Sequence, residues 1–194
     1  MADVEILVVR HPETEANVNG RFVGQGESPF TEEGRRQARR LPRKIAAFQP
    51  EVIWSSPLKR AAVVARGAQR LGGAQLRVDP RLIELDFGDA HGLTWEEIVE
   101  AGIPFNYRAA DEPVAPGGES RNDLLARVGA VLEEIVAVGG RHALVCHAGV
   151  LRGVLAYTLG LRADQLWLFG VHNAQLARVQ VVDGHGQLTE YTQG

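Results

Sequence analysis

The apolar positions of this chain follow two rhythms: short unbroken runs, and longer stretches in which they recur every three or four residues. Ile6-Leu7-Val8-Val9 is an unbroken run inside a first strand over residues 4–9, the pattern of a strand buried on both faces. Thr31 is placed to cap a helix running to about Phe48, with Glu32 and Glu33 in its first turn, where the helix dipole favours anions. Pro42 falls inside that pattern and predicts a kink or a break. EVIWSS (51–56) reads as a second strand. SPLKRAAVVARGAQRLGG (56–73) predicts a helix with Ser56 as N-cap, Pro57 at the first helical position and Gly72-Gly73 at the end. QLRV (75–78) reads as a third, short strand.

Residues 84–118 are irregular. Thr94 caps a short helix, WEEIVEAG, and three prolines and two glycines between Pro104 and Gly118 mark a loop. ESRNDLLARVGAVLEEIVAV (119–138) is a long amphipathic helix, HALVCH (142–147) a fourth strand, and VLRGVLAYTLG (150–160) a helix. AQLARVQVVDGHGQLTEYTQ (174–193) is a hairpin turning at Asp183-Gly184-His185-Gly186. Alternation of strands and helices predicts a mainly parallel sheet covered on both faces, and the hairpin adds at least one antiparallel strand. No repeat or interdomain linker interrupts the pattern, so residues 1–194 are expected to form one domain.

Composition narrows the class. The chain has 194 residues and a net charge of −3, so no global basic field recruits nucleic acid or membrane. One cysteine, Cys146, rules out an intrachain disulfide, and it reads as a small buried strand residue. MADVEILVV lacks the basic region and long apolar core of a signal peptide, and no apolar run reaches about 18 residues, so a cytoplasmic protein is the default. The basic residues are nearly all arginine, which suits planar anion recognition; Lys44 and Lys59 are the only lysines.

The candidate chemistry lies at strand ends. LVVRH and ALVCH both end in histidine, and strands of an open parallel sheet end on one edge, where ligands bind. His11 and His147 are therefore expected to face each other across one crevice. Arg10 directly precedes His11, and Arg60 lies early in the helix after the second strand, where free N–H groups and the dipole attract an anion. Two arginines and two histidines around one crevice describe a site for a dianion, most simply a phosphoryl group. Two guanidinium groups repel a divalent cation, and neither a carboxylate cluster nor a His-x-x-x-His spacing supplies ligands, so no metal is expected. Glu84, between Leu82-Ile83 and Leu85, is the candidate proton donor, because a carboxyl beside apolar neighbours can be held protonated. Each of these residues also has a plainer reading: a solvated arginine, a histidine at a strand end, an edge-strand carboxylate.

RHPETEAN, GRFVGQGESPFTEEGRRQA, SSPLKRA, LIELDFGDAHG, PGGES and VCHAGVLRGVL follow in the order found in the histidine phosphatase superfamily, in its phosphoglycerate-mutase-like branch, and the chain resembles that family from about residue 4 to about 180. The resemblance implies a three-layer α/β/α sandwich over a mainly parallel mixed sheet. It implies that His11 is the nucleophile and forms a phosphohistidine through Nε2, with Nδ1–H held by a backbone carbonyl. Arg10, Arg60 and His147 would hold the phosphoryl oxygens, and Glu84 would serve as general acid and then as base. Asn17, the backbone near Gly24, and Ala148 would line the substrate side. No metal or other cofactor is implied. The implied partner is a small phosphorylated substrate, with no nucleic acid and no membrane; a homodimer is left open.

Two positions depart from the family. Pro12 stands where glycine is usual, removing one N–H from the phosphate loop and biasing His11 to extended backbone. Ala148, also at a common glycine position, adds one methyl group to the pocket. Three functions compete: a phosphomonoester phosphatase, a phosphoglycerate mutase, and a binding module that kept the fold. Mutases carry a longer insertion between Glu84 and His147 with adjacent basic residues, whereas residues 85–140 hold only Arg108, Arg121 and Arg127, none adjacent. That favours the phosphatase, and retention of the whole catalytic set disfavours the binding module. HAGVLRGVLAYTLGLRADQLWLFGV resembles α-ribazole-phosphate phosphatases, while sugar phosphates, nucleotides and phosphoglycerates stay open as substrates. Trp95, Phe105 and Tyr107 are candidates for shaping the leaving-group side or, equally, for packing under a loop. His91, His142, His172 and His185 receive no role.

Overall fold

The structure, a computed structural model, describes residues 3–106 and 109–194; Tyr107 and Arg108 lie outside them. Six strands form one sheet: β1 (Val4–Arg10), β2 (Val52–Ser55), β3 (Gln75–Val78), β4 (Gly140–Cys146), β5 (Gln175–Val182) and β6 (His185–Gln193), in the order β3-β2-β4-β1-β5-β6. The first four positions run parallel, and β5 and β6 are antiparallel additions at one side. This is the mixed α/β sheet expected from the strand–helix alternation.

Alternate residues of β1 explain why the sheet must be covered twice. Val4, Ile6 and Val8 enter an apolar cluster with α5 (Arg121–Val138) and α6 (Ala148–Thr158). Leu7 and Val9 enter another, with Leu41, Ile45 and Phe48 of α2 (Glu32–Phe48) and Ala61, Val64 and Ala65 of α3 (Lys59–Gly72). Period-2 alternation of buried side chains thus gives each face its own core. Two shorter helices, α1 (Glu15–Val18) and α4 (Trp95–Glu100), lie in the connections.

The capping signals at Thr31 and Thr94 operate, each hydroxyl accepting a backbone N–H of the following turn, and Ser120, which the sequence did not single out, caps α5 in the same way. Three local expectations change. The helix over 32–48 is unbroken at Pro42, whose ring is buried and packs toward Gly67 of α3, a contact that offsets the lost ladder bond. Helix α3 starts at Lys59 with Leu58 as N-cap, two residues later than expected; the Ser56 hydroxyl accepts the Leu58 N–H at 3.3 Å and also lies against His147 Nε2. The hairpin turns on two residues, Asp183 and Gly184, both with positive φ, as a tight right-twisted hairpin needs.

Candidate active site

Parallel pairing of β1 with β4 puts Arg10 beside Cys146, so the next residues, His11 and His147, emerge side by side with ring centroids 5.2 Å apart. β2 pairs with the other side of β4, which brings Ser56 and the start of α3 to the same edge. The His11 N–H continues the ladder to the Cys146 carbonyl (2.9 Å) and the Ser56 N–H to the Val145 carbonyl (3.0 Å). Strand ends, not loops, therefore fix the two imidazoles.

His11 Nδ1 lies 2.7 Å from the Pro12 carbonyl oxygen. A carbonyl only accepts, so Nδ1 carries the proton and Nε2 keeps its lone pair. Pro12 lacks an N–H, but the group that orients His11 is its C=O. Burial first, then the Arg10 and Arg60 charges, hold the His11 pKa well below the ordinary histidine range. His147 is fully buried, and burial likewise pushes its pKa far down, with His11 and the arginines adding to the effect. Its Nε2 lies 2.6 Å from Ser56 Oγ, while Nδ1 has no partner among the described residues.

Arg60 is 5% exposed and threads under the loop at 24–26, donating through Nη2 to the Gly24 carbonyl (2.6 Å) and through Nη1 to the Gly26 carbonyl (2.5 Å). Gly24 has φ +50°, and a Cβ there would press on the Leu85 carbonyl at 2.8 Å, so the loop can approach this closely only as glycine. Arg10 donates through Nη1 to the Val171 carbonyl (2.8 Å); burial pushes its pKa down to about 10, so it stays charged at neutral pH. Arg10 Nε is buried without a partner among the described residues. An unpaired buried polar atom costs free energy unless a ligand meets it, and Arg10 Nε and His147 Nδ1 are two such atoms at this edge; Arg121, Arg141 and Arg178, which do not line the cavity, each have another at Nε.

Glu84 is buried, but not among apolar atoms as its sequence neighbours suggested. Its Oε1 accepts the Leu85 N–H (2.9 Å) and the Gly149 N–H (3.1 Å), its Oε2 accepts the Gly149 N–H (3.2 Å), and it interacts electrostatically with Arg10, Arg60 and Arg152. Arg127 clamps the segment that carries it, donating to the carbonyls of Arg81, Ile83 and Glu84 while pairing with Glu119 at 2.6 Å. Asn17 Oδ1 accepts from Thr14 Oγ1 (2.9 Å) and Asn173 Nδ2 (2.8 Å), which turns its amide N–H groups outward.

These groups converge on a cavity of about 210 Å³. Arg10, His11, Asn17, Gly24, Arg60, Glu84 and Ala148 line it; His147 sits behind the lining. Glu84 is the one carboxylate among the described lining residues. Thr14, Ser28, Gly149, Arg152 and Trp167 also line it and were not singled out by the sequence. The aromatic side chains that line the cavity are Phe22, Phe87 and Trp167; Phe105 packs against both phenylalanines, and Trp95 against Phe105, in a second row. Among the described residues no cluster of three His, Cys, Asp or Glu side chains is close enough to hold a metal ion. Nor is any described helix long and apolar enough to cross a membrane.

A model of the histidine phosphatase superfamily (branch 1) matches residues 6–194. The chain belongs to that superfamily. This histidine phosphatase is 32% identical over 187 residues to phosphoserine phosphatase 1 of Hydrogenobacter thermophilus, covering 92% of this chain and 87% of the relative. It is 30% identical over 181 residues to a Photorhabdus laumondii protein named "Probable phosphoglycerate mutase GpmB", covering 91% and 84%. Among solved structures it resembles a mycobacterial glucosyl-3-phosphoglycerate phosphatase in complex with VO3, with a TM-score of 0.86, 30% identity and coverage of 98% and 99%. It is an enzyme of the phosphomonoesterase type within this family.

Proposed function

We propose that the protein hydrolyses small phosphomonoesters through a phosphohistidine on His11. The observation that carries this reading is the 2.7 Å contact between His11 Nδ1 and the Pro12 carbonyl, which leaves Nε2 as an oriented, neutral nucleophile beside two guanidinium groups. In the first step Nε2 attacks phosphorus, the P–O ester bond breaks, and the Glu84 carboxyl delivers a proton to the departing oxygen. In the second, the Glu84 carboxylate takes a proton from water, the water oxygen attacks phosphorus, and the P–N bond breaks to release phosphate. Arg10 and Arg60 balance the charge on the transferring group. His147 donates from Nδ1 if the Ser56 hydroxyl gives its proton to Nε2, an arrangement the 2.6 Å contact supports.

Hydrolysis is favoured over transfer to a second metabolite because the described basic residues between 85 and 140, Arg121 and Arg127, are occupied elsewhere. Arg121 is buried and donates to the Asn106 and Ala109 carbonyls, and Arg127 is held in its clamp; Arg108 lies outside the described residues. The relatives named for phosphoserine and glucosyl-3-phosphoglycerate support a small phosphorylated metabolite as substrate. The test is His11→Ala with acid quenching. Wild type is expected to yield an acid-labile phosphoenzyme on residue 11 and to release inorganic phosphate, with vanadate competing for the site; the variant is expected to lose turnover. Turnover by His11→Ala overturns the nucleophile, and recovery of an isomerised phosphate ester instead of inorganic phosphate overturns hydrolysis.

A further inference from the structure

Three residues just ahead of β5 each hold a different group of the active site, although none of the three lines its cavity. The Val171 carbonyl accepts Arg10 Nη1 at 2.8 Å, and the Ala174 N–H donates to the His11 carbonyl at 3.1 Å. Between them, Asn173 Nδ2 donates to Asn17 Oδ1 at 2.8 Å, joining residues 156 positions apart. Ala174 takes a left-handed φ of 57°, which is uncommon for a residue with a side chain and costs free energy. The Gln175 N–H closes the turn on the His172 carbonyl at 3.1 Å. The contacts with Arg10 and His11 belong to the backbone of this segment; the contact with Asn17 belongs to the Asn173 side chain alone.

Hydrogen bonding fixes which way the Asn17 carboxamide faces. The Thr14 N–H lies 3.1 Å from Oδ1 and can only donate, so the atom it meets is the oxygen. The Asn173 atom that meets the same oxygen is then its amide nitrogen. The Thr14 hydroxyl, at 2.9 Å, can donate or accept and so selects neither orientation. Asn17 Nδ2, the other branch of the planar group, makes no hydrogen bond among the described residues, and Asn17 lines the cavity.

We infer that Asn173 is a positioning residue: it pins the Asn17 carboxamide so that Nδ2 donates to the phosphoryl group beside His11. This rests on the phosphatase reading above and adds to it a residue outside the cavity. A carboxamide turned the other way presents an oxygen lone pair to a dianion. The two orientations have nearly the same shape, so hydrogen bonds choose between them. Thr14 supplies one fixed donor from within the same turn. Asn173 supplies the second, from the segment that also holds Arg10 and the His11 backbone. A donor oriented before the substrate arrives needs no reorganisation during the reaction.

The test is a double-mutant cycle on Asn17→Ala and Asn173→Ala, read with p-nitrophenyl phosphate as substrate and vanadate as inhibitor. Asn17→Ala is expected to lower kcat/KM by about 10- to 100-fold, the worth of a hydrogen bond to a charged group; an undiminished value overturns the proposal. Asn173→Ala is expected to lower kcat/KM about tenfold in wild type but less than about twofold in the Asn17→Ala background, with vanadate affinity following the same pattern. Equal losses in both backgrounds overturn the proposal, because they assign Asn173 to the backbone around Arg10 and His11. Asn173→Asp keeps the shape of the side chain but has no donor at neutral pH, and is expected not to recover activity; recovery overturns the donor role. Wild type that turns over no phosphomonoester overturns the phosphatase reading instead, and the four vanadate affinities, measured by direct binding, then decide the positioning role by the same comparison. Absence of vanadate binding as well overturns both. Should Asn173→Ala not fold, the Asn173 side-chain NH2 gives a second measurement by NMR. Its exchange with solvent is expected to be slow in wild type and faster in Asn17→Ala, and equal exchange in the two overturns the proposal.

Discussion

At the scale of single residues, the division of labour between His11 and Glu84 has a kinetic signature. An alkyl phosphate releases an alkoxide and needs a proton, whereas p-nitrophenolate leaves without one. Glu84→Gln retains the size of the side chain and an acceptor oxygen for the Gly149 N–H but cannot deliver the proton. Its phosphorylation step is expected to slow about 10²- to 10⁴-fold with alkyl phosphates and far less with p-nitrophenyl phosphate. Rapid-mixing kinetics should then show a burst of p-nitrophenol before slow dephosphorylation, since the base for water is also gone. Equal slowing of the phosphorylation step with both esters transfers the acid role to another group. Asp86 and Glu13 are poor replacements: Asp86 is turned to the Gly88 N–H, Glu13 to the Thr31 hydroxyl, and neither lines the cavity.

At the scale of elements, the first turn of α6 is the piece on which the acid depends. Its Gly149 N–H holds both Glu84 oxygens, and a Cβ at 149 would meet the Glu84 carboxylate before anything else. The obstacle is the tip of a flexible side chain, so the fold can yield. Alanine in a helix is worth about 0.5–1 kcal/mol over glycine. Gly149→Ala is therefore expected to melt no lower than wild type while losing on the order of 10²-fold in kcat/KM, because the displaced carboxyl no longer meets the leaving oxygen; thermal melts and steady-state kinetics on the same preparation check both halves. Much of this layer was legible in the sequence. Strands ending in Arg10-His11 and His147 were readable because apolar runs stop abruptly there, α2 and α4 because their caps are local signals, and α5 because its apolar positions keep a helical period. The start of α3 lies two residues beyond the predicted one: Ser56-Pro57 carries the local signal of a helix start, while the contact of the Ser56 hydroxyl with His147, 91 residues away, has no local signal at all. Phe22, Ser28 and Phe87 escaped notice because irregular backbone gives no period from which a direction follows. Arg152 lies on the helix predicted over 150–160, but that helix begins two residues earlier than predicted, at Ala148, so the face it shares with Ala148 was not legible.

At the scale of the whole molecule, strand order was beyond local pattern, since each pairing joins segments far apart in the chain. The buried imidazole pair makes stability depend on pH with a definite sign. Both histidines have folded pKa values far below the unfolded value of about 6.5, so the unfolded chain takes up protons first as pH falls. Their contribution is complete above pH 6.5 and is lost below it, at up to about 1.4 kcal/mol per pH unit for each histidine. Urea unfolding is expected to show declining stability from pH 6.5 to 5, above the range where ordinary carboxylates titrate; a flat profile contradicts the neutral pair. The position of β1 between β4 and β5 has a further consequence, in synthesis. Val4 pairs with Gly140 on one side and with Val181 on the other, so the ribbon Ile6-Leu7-Val8-Val9 leaves the ribosome well before either neighbour exists. At about 5–20 residues per second the wait is on the order of ten seconds, with an apolar strand unpaired along both edges. The nascent chain is in that interval a natural client for holdase chaperones. A message truncated ahead of β4 yields a sticky polypeptide with the nucleophile attached, not a partial enzyme.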